Sequence, residues 1–295
     1  MTAIEGDGVV QEFAPAKVNL CLHITGRRAD GYHLLDSLVV FADVGDRLTF
    51  TRAETLQLEI AGPFADAIEA APDNLIFKAA GLFGDQVPGA AVSLTKSLPV
   101  AAGIGGGSAD AAASLRGLMA LYELNQLNER QLDEMALKLG ADVPACLRSS
   151  ALRMAGIGEE IEIIQGFPAL PAVLINPGVA VPTGPIFKAL GLPRPSTAGP
   201  GLTDLPRQSF TSVDDVVGWL GAQRNDLQAP AIGLAPEVGQ VLEALELEET
   251  CRLARMSGSG ATCFGVFGTE TEAAACAQRL SRENPGWWAV STVLR

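Results

Sequence analysis

The chain has 295 residues, 48% of them hydrophobic, which is long and apolar enough for two domains with packed cores and excludes a disordered chain. With 34 acidic against 21 basic residues the net charge is −13, so nucleic acid and anionic membranes, which both demand a basic surface, are not expected partners. Five cysteines (Cys21, Cys146, Cys251, Cys263 and Cys276) lie scattered without a CxxC pair, the pattern of reduced thiols in a cytoplasmic protein.

The opening MTAIEGDG lacks an apolar core, and no run approaches ~18 apolar residues, so neither a secretion signal nor a membrane span is expected. From Phe13 on, AKVNLCLHITG alternates: Val18, Leu20, Leu22 and Ile24 face one way, Lys17, Asn19, Cys21 and His23 the other, a strand with one polar face. A lysine and an asparagine two apart on such a face are either solvated or part of a site. Asp30-Gly31 suits a tight turn and delivers Tyr32 and His33 beside it; a histidine there is ordinarily a solvated one. LLDSLVVF, DRLTF and TLQLEI read as further strands of an antiparallel, hairpin-rich first third. His23 and His33 are the two histidines, too few for a histidine-built zinc site, and no GxSxG supports a serine hydrolase.

AVSLTKS then reads as a strand that Pro99 breaks, and LPVAAGIGGGSADAAASLRG opens directly into a helix through about Leu124. Any glycine-rich stretch before a helix can be a flexible turn. Here Gly103, Gly105, Gly106 and Gly107 permit positive φ with amides turned inward, and a helix starting near Ser108 adds free N–H groups and its positive dipole end, so the segment reads as a nucleoside triphosphate cradle. A Walker A loop requires Lys-Ser/Thr where Ser108-Ala109 stands, and the dinucleotide fingerprint lacks its third glycine at Ser108. Without HRD or DFG, the protein-kinase layout is also excluded.

Asn128 is placed to cap a helix carrying Leu132, Met135, Ala136 and Leu139, with Gly140 as its stop. Asp142, next in line, is either a cap for the short helix that Pro144 opens or a functional carboxylate. The pattern loosens between Gly156 and Pro171, where the domain boundary is drawn: residues 1–163 and 164–295. AVLINPG starts the second half as a strand, and Gly191 to Pro206 reads as an irregular surface excursion. The last stretch, PEVGQVLEALEL, CRLARMSG, TCFGVF, TEAAACAQRLSREN and WWAVSTVL, alternates helix and strand as α+β, similar to a split βαβ sandwich. Between two of its strands, Ser257 to Thr262 is a small-residue loop, a hairpin turn or a place for backbone to approach phosphate.

AKVNL with DGYH, PVAAGIGGGSADAA and SGSGATCF, in that order, resemble the galactokinase, homoserine kinase, mevalonate kinase and phosphomevalonate kinase (GHMP) superfamily. PAKVNLCLHITGRRADGYH, GADVPACL, VPTGPIF and Asn225-Asp226-Leu227 are similar, more narrowly, to its branch acting on a cytidine-diphosphate-linked sugar alcohol in the non-mevalonate isoprenoid route, over nearly the whole chain. The resemblance implies an α+β fold of two domains, an N-terminal ribosomal-S5-domain-2-like domain bearing the ATP loop and a ferredoxin-like C-terminal domain, with the active site in the cleft between them. It implies ATP-dependent phosphorylation of one substrate hydroxyl, giving the 2-phosphate and ADP. The ATP loop is then Pro99, Val100, Ala101, Ala102, Gly103, Ile104, Gly105, Gly106, Gly107, Ser108 and Ala109, with Mg²⁺ bridging the phosphates and the Ser108 hydroxyl near the metal. Lys17 and Asp142 match the family's catalytic pair: Asp142 takes or orients the hydroxyl proton, and Lys17 lowers the hydroxyl pKa.

Asn19, on the face of Lys17, is expected to hydrogen-bond the sugar alcohol. Tyr32, His33 and Phe187 match residues that hold cytosine between aromatic faces, and Thr183 matches a substrate contact. Val100-Ala101 stand where relatives often carry more glycine, and Ala145-Cys146 follow Pro144 where aromatic residues are common. A superfamily kinase for mevalonate or homoserine would share the loop but not need the base pocket. A silent nucleotide-binding module would need neither Lys17 nor Asp142.

Overall fold

The computed structural model describes residues 3–5, 8–202, 205 and 210–295. Met1, Thr2, Gly6 and Asp7 of the acidic start, and Pro206 at the end of the irregular excursion, lie outside the described residues. Contacts divide the chain into two compact units that interleave along the sequence: Met1–Ala16, Val44–Val100 and Gly105–Ser149 form the first, and Lys17–Asp43, Ala101–Ile104 and Ser150–Arg295 the second. The sequence reading drew one boundary, at 163/164. Chain order does not follow the compact units because two long strands, each running on past the point where its partners change, belong partly to each.

Those strands are β2 (Val9–Arg27), which follows the short β1 (Ala3–Glu5), and β3 (His33–Arg52). LLDSLVVF and DRLTF, read as separate strands, are one element. In the first unit the end of β3 pairs antiparallel with β5 (Ala90–Thr95), from Arg47 opposite Thr95 to Arg52 opposite Ala90; β4 (Gln57–Ala61) lies parallel to β5 on its other side. The helices are α1 (Leu75–Gly81), α2 (Gly106–Leu121), α3 (Glu129–Leu139) and α4 (Val143–Arg148). α2 is buried on nearly every side, with Ala109, Asp110, Ala111, Ala112, Ala113, Ser114, Leu115 and Leu118 all shielded. Its small residues let backbone come close: a Cβ on Gly117 would sit 2.4 Å from the Phe50 ring. Asn128 caps α3 as expected, in a reciprocal capping box with Gln131.

In the second unit the early part of β3 pairs with β6 (Leu152–Gly156), and β6 with β7 (Glu160–Ile163). The stretch that looked loose is thus partly a hairpin, with Gly156 and Gly158 at positive φ supplying the turn. β8 (Leu170–Asn176), α5 (Thr183–Ala189), β9 (Ser196–Thr197), α6 (Val213–Leu220), α7 (Gln228–Leu234), α8 (Pro236–Glu246), β10 (Leu253–Met256), β11 (Cys263–Val266), α9 (Glu270–Glu283) and β12 (Trp288–Leu294) follow. The spatial order β12-β8-β11-β10 is antiparallel throughout and, with helices between β8 and β10 and between β11 and β12, is the ferredoxin-like arrangement. Its core joins Val173, Ile175, Val238, Val241, Leu245, Phe267, Cys276 and Leu280.

β2 differs from its reading as a strand with a wet face. Lys17, Asn19, Cys21 and His23 are as buried as the apolar residues between them, because both faces of this stretch are covered. All five cysteines are free thiols, Cys251 partly exposed and the others buried. Burial pushes the Cys21 and Cys276 thiols up to about 12 and Cys251 to about 11, which makes them unreactive filler. Among the described residues no helix is long and apolar enough to cross a membrane.

Candidate active site

The glycine loop is built from backbone, and its positive-φ residues are not quite those the composition suggested. Gly103 (φ 72) and Gly105 (φ 64) are left-handed, and so is Ala101 (φ 52), at a position where glycine was expected in relatives. Gly106 and Gly107 are instead the first residues of α2, with Gly105 as its N-cap, so the helix begins two residues before Ser108. The amides of α2's first turn, Gly106 to Ser108, therefore point out of the helix start, where its dipole favours an anion. Gly103 admits no side chain: a Cβ there would lie 2.6 Å from the carbonyl oxygens of both Ser257 and Gly260. The loop from Ser257 to Thr262, whose two readings were a bare turn or a phosphate approach, is the β10–β11 connection, and its backbone packs on Gly103.

Around Gly103 the second unit assembles a polar network from four distant stretches of sequence. Lys17 N donates to Ile104 O at 2.8 Å and Thr262 N to Ala102 O at 3.1 Å, which suspends the middle of the loop between β2 and the start of β11. Ser257 Oγ donates to Gly103 O at 3.0 Å and accepts from Asn19 N at 3.1 Å. Lys17, 3% exposed, donates from Nζ to Asn19 Oδ1 at 3.1 Å; Asn19 Nδ2 donates to Ser37 Oγ at 2.7 Å, and Ser37 Oγ to Cys21 O at 2.6 Å. The ammonium is thus aimed by an amide that is itself held at its other end. Asn225 Nδ2 donates to both Met256 O and Gly258 O at 2.8 Å, tying the Ser257 loop back to the segment after α6. Ser37, Ser257 and Asn225 as positioning groups escaped the sequence reading. Ser257 carried a signal, since it sits in a small-residue loop, whereas Ser37 lies in an apolar strand and carried none.

Asp142 occupies the N-cap position of α4 but its carboxylate makes no hydrogen bond to the helix N–H groups, so the capping explanation of its placement does not hold. Pro144 at the second helical position opens the helix as expected. Ala145 and Cys146, the departures next to it, are buried in α4.

The second cluster is an open cavity of about 720 Å³ lined by Arg27, Tyr32, His33, Phe187, Lys188 and Arg194 among others. The turn forms as its Asp-Gly pair predicts: Gly31 has φ 100, and Tyr32 N is held by Asp30 Oδ1 at 3.2 Å. His33 and Phe187, 154 residues apart, have ring centroids 4.8 Å apart, and Tyr32 is 62% exposed. His33 Nε2 is buried without a hydrogen-bond partner. Burial, then the positive charges of Arg27 and Arg194, lowers the His33 pKa and keeps the ring neutral. Thr183, at the start of α5, shares a 3.1 Å hydroxyl contact with Ser259 of the β10–β11 loop. Lys17, Asn19 and Ala102–Ile104 are thus brought together, as are Tyr32, His33 and Phe187; Asp142 and the loop residues from Gly105 on belong to the other unit.

Residues 74–150 match the family described as GHMP kinases N terminal domain, and residues 202–286 the one described as GHMP kinases C terminal. A protein of Roseobacter denitrificans named 4-diphosphocytidyl-2-C-methyl-D-erythritol kinase is 52% identical over 97% of this chain and 94% of its own length. One of the same name from Cereibacter sphaeroides is 53% identical over 95% and 97%. A crystal structure of 4-(cytidine 5'-diphospho)-2C-methyl-D-erythritol kinase superposes with a TM-score of 0.76 at 32% identity, covering 96% of this chain and 98% of the other. A homoserine kinase from Cytophaga hutchinsonii, at 16% identity and TM-score 0.67, shares the fold.

Proposed function

The chain belongs to the 4-diphosphocytidyl-2-C-methyl-D-erythritol kinases of the GHMP superfamily, and from that premise we propose which of its residues carry the reaction. It is a small-molecule kinase that uses ATP to phosphorylate the 2-hydroxyl of that substrate, giving the 2-phosphate and ADP, in non-mevalonate isoprenoid biosynthesis. Residues 99–109 receive the triphosphate, with the N-terminal end of α2 meeting its negative charge. Lys17 is the cation that stabilises charge developing on the attacking oxygen and the phosphoryl group, and Asp142 orients the hydroxyl and takes its proton. A carboxylate is a weak base toward an alcohol, so that proton moves late, as the oxygen bonds to phosphorus; positioning supplies most of the rate. Asn19 hydrogen-bonds the sugar alcohol on the substrate side, and its Oδ1 holds the Lys17 ammonium in direction.

Tyr32, His33 and Phe187 bind the cytosine ring. The neutral imidazole, with a buried nitrogen awaiting a partner, suits the hydrogen-bonding edge of a base, and the flanking rings suit its faces. Thr183 contacts substrate nearby. Mg²⁺ would be held mainly by the phosphate oxygens with the Ser108 hydroxyl, since among the described residues no group of three or more acidic, histidine or cysteine side chains could hold a metal. When bound it would neutralise the β and γ phosphates. The division at 163/164 is proposed as one of labour, ATP to the first segment and Thr183 and Phe187 to the second. An enzyme of the cytoplasm with a small-molecule substrate and no nucleic acid or membrane partner fits the charge of −13.

The observation that carries the catalytic assignment is that Lys17 is buried and aimed beside the glycine loop. Replacing Asp142 by Ala is expected to abolish turnover while ATP affinity stays within about tenfold, roughly 1.4 kcal/mol. Isothermal titration with ATP and assay of ADP release check both; normal turnover would remove Asp142 from the chemistry. Binding of CDP, absent in a mevalonate or homoserine kinase, checks the cytidine pocket.

A further inference from the structure

A second buried lysine, outside the residues singled out by sequence, lies under the glycine loop in the first unit. Lys96 follows β5 directly, and its ammonium, 3% exposed, donates to Asp46 Oδ2 at 2.6 Å and to Asp110 Oδ2 at 2.7 Å. The other oxygen of Asp46 accepts from Ser97 N at 2.6 Å and Leu98 N at 2.9 Å, the two amides that lead into the loop. Asp110 belongs to α2, the helix that leaves the loop. A Cβ on Gly106 would lie 3.3 Å from Lys96 Nζ, so the ammonium also forms the floor beneath the first helical residue. The Lys96 backbone is anchored independently, its N donating to Ala61 O at 2.7 Å and its O accepting from Phe64 N at 3.3 Å.

Burying one ammonium and two carboxylates is expensive, and packed apolar side chains of similar volume would serve stability as well or better. What the charged cluster supplies is geometry: two strong, directional bonds from one nitrogen join the chain before the loop to the chain after it. We propose that Lys96 is the positioning residue of the ATP loop, bridging Asp46 at its start and Asp110 at its exit helix so that the amides from Gly105 to Ala109 hold the spacing a triphosphate needs. It touches no reacting atom. The proposal rests on residues 99–109 being the ATP loop.

The test compares equilibrium binding of ATP with that of adenosine, together with steady-state kinetics, in the full chain. Lys96→Met, which keeps the side-chain length without the charge, is expected to weaken ATP on the order of tenfold to a hundredfold. Adenosine binding and the KM for the cytidyl substrate should stay at wild-type values, and kcat at saturating ATP within about threefold, because the loss lies in triphosphate binding. Unchanged ATP binding overturns the proposal, and so does an equal weakening of ATP and adenosine, which would mean general loss of structure. If Lys96→Met does not fold, Asp46→Asn decides: one amide oxygen cannot serve both Lys96 and the Ser97 and Leu98 amides, so the same ATP-selective loss is expected, and wild-type binding overturns the proposal. Gly105→Val separates the underlying reading, since its binding ATP like wild type would mean that the loop does not hold triphosphate at all.

Discussion

The network around Gly103 and the cavity at Tyr32, His33 and Phe187 solve opposite problems. The first is closed, polar and made largely of main chain: Gly103, Ile104 and Ala102 are held by Ser257, Lys17 and Thr262, and each side chain involved is itself fixed by a further bond. The second is open and made of side chains, with Tyr32 standing 62% exposed and His33 keeping a nitrogen unpartnered. A cradle for phosphate gains from being rigid before the ligand arrives, because amide dipoles act by prior orientation. A pocket for a flat base needs faces and one or two edge groups, and the ligand completes it. Damage should therefore spread through geometry in the first region and stay local in the second.

The largest effect is expected from Gly103→Val. Its Cβ would meet the Ser257 and Gly260 carbonyl oxygens at 2.6 Å in a left-handed backbone that valine resists, so a loss of about 3 kcal/mol or more in stability and a fall in turnover on the order of a hundredfold should appear together in thermal melts and assay. Wild-type turnover there would break the link between the Gly103 network and function. Tyr32→Ala is expected to weaken CDP by about 1–3 kcal/mol, the worth of one stacked base, with the melt unchanged because the side chain is exposed. A matching fall in stability would mean that the two regions do not differ as described.

Acid sharpens the comparison further. Burial first, then Arg224, lowers the pKa of His23, whose Nε2 accepts from Arg224 N at 3.3 Å; burial first, then Arg27 and Arg194, lowers that of His33. Both bind protons more readily unfolded than folded. Their stabilisation is therefore complete above the ordinary histidine value of 6.5 and is lost as pH falls through the lowered folded values. Urea titrations from pH 7 downward should show His23→Gln losing less stability than wild type in that window, and parallel curves would contradict the assignment. The smallest effect is expected from Ala101→Gly, which relieves a left-handed alanine (φ 52) and should stabilise by about 1 kcal/mol in the same titration. A destabilised variant would show that this alanine is not strained.

Periodicity and turn chemistry read most elements correctly: the α3 capping box at Asn128, the Asp30-Gly31 turn, the strand of β5 before the loop, and the ferredoxin-like succession at the end. The misreadings share a cause. β2 alternates polar and apolar residues like a half-wet strand, yet Lys17, Asn19 and His23 are buried, because alternation reports two faces and not what covers them. The hairpin from β6 to β7 was hidden by its turn glycines. Lys96 and Asp46 were passed over since a charged residue at a strand end is ordinarily solvated, and nothing local says that Asp110, one helical turn into α2, will meet them. Burial above all pushes Asp110 up to about 7 despite the neighbouring ammonium, a measure of how dry that meeting point is.

Short-range chemistry, then, was written in the chain: which segments extend, which coil, where glycine must bend the main chain, and which motifs mark a superfamily of kinases. Which buried polar groups find one another was settled by folding, since Asn19 reaching Ser37 and Ser257, Ser257 reaching Gly103 and Lys96 joining Asp46 to Asp110 depend on strands and loops up to 238 residues apart being brought within hydrogen-bond distance. The reason is physical: local preference acts through neighbouring dihedral angles and spacing, whereas the cost of burying an ammonium is met by partners whose nearness the linear order does not encode.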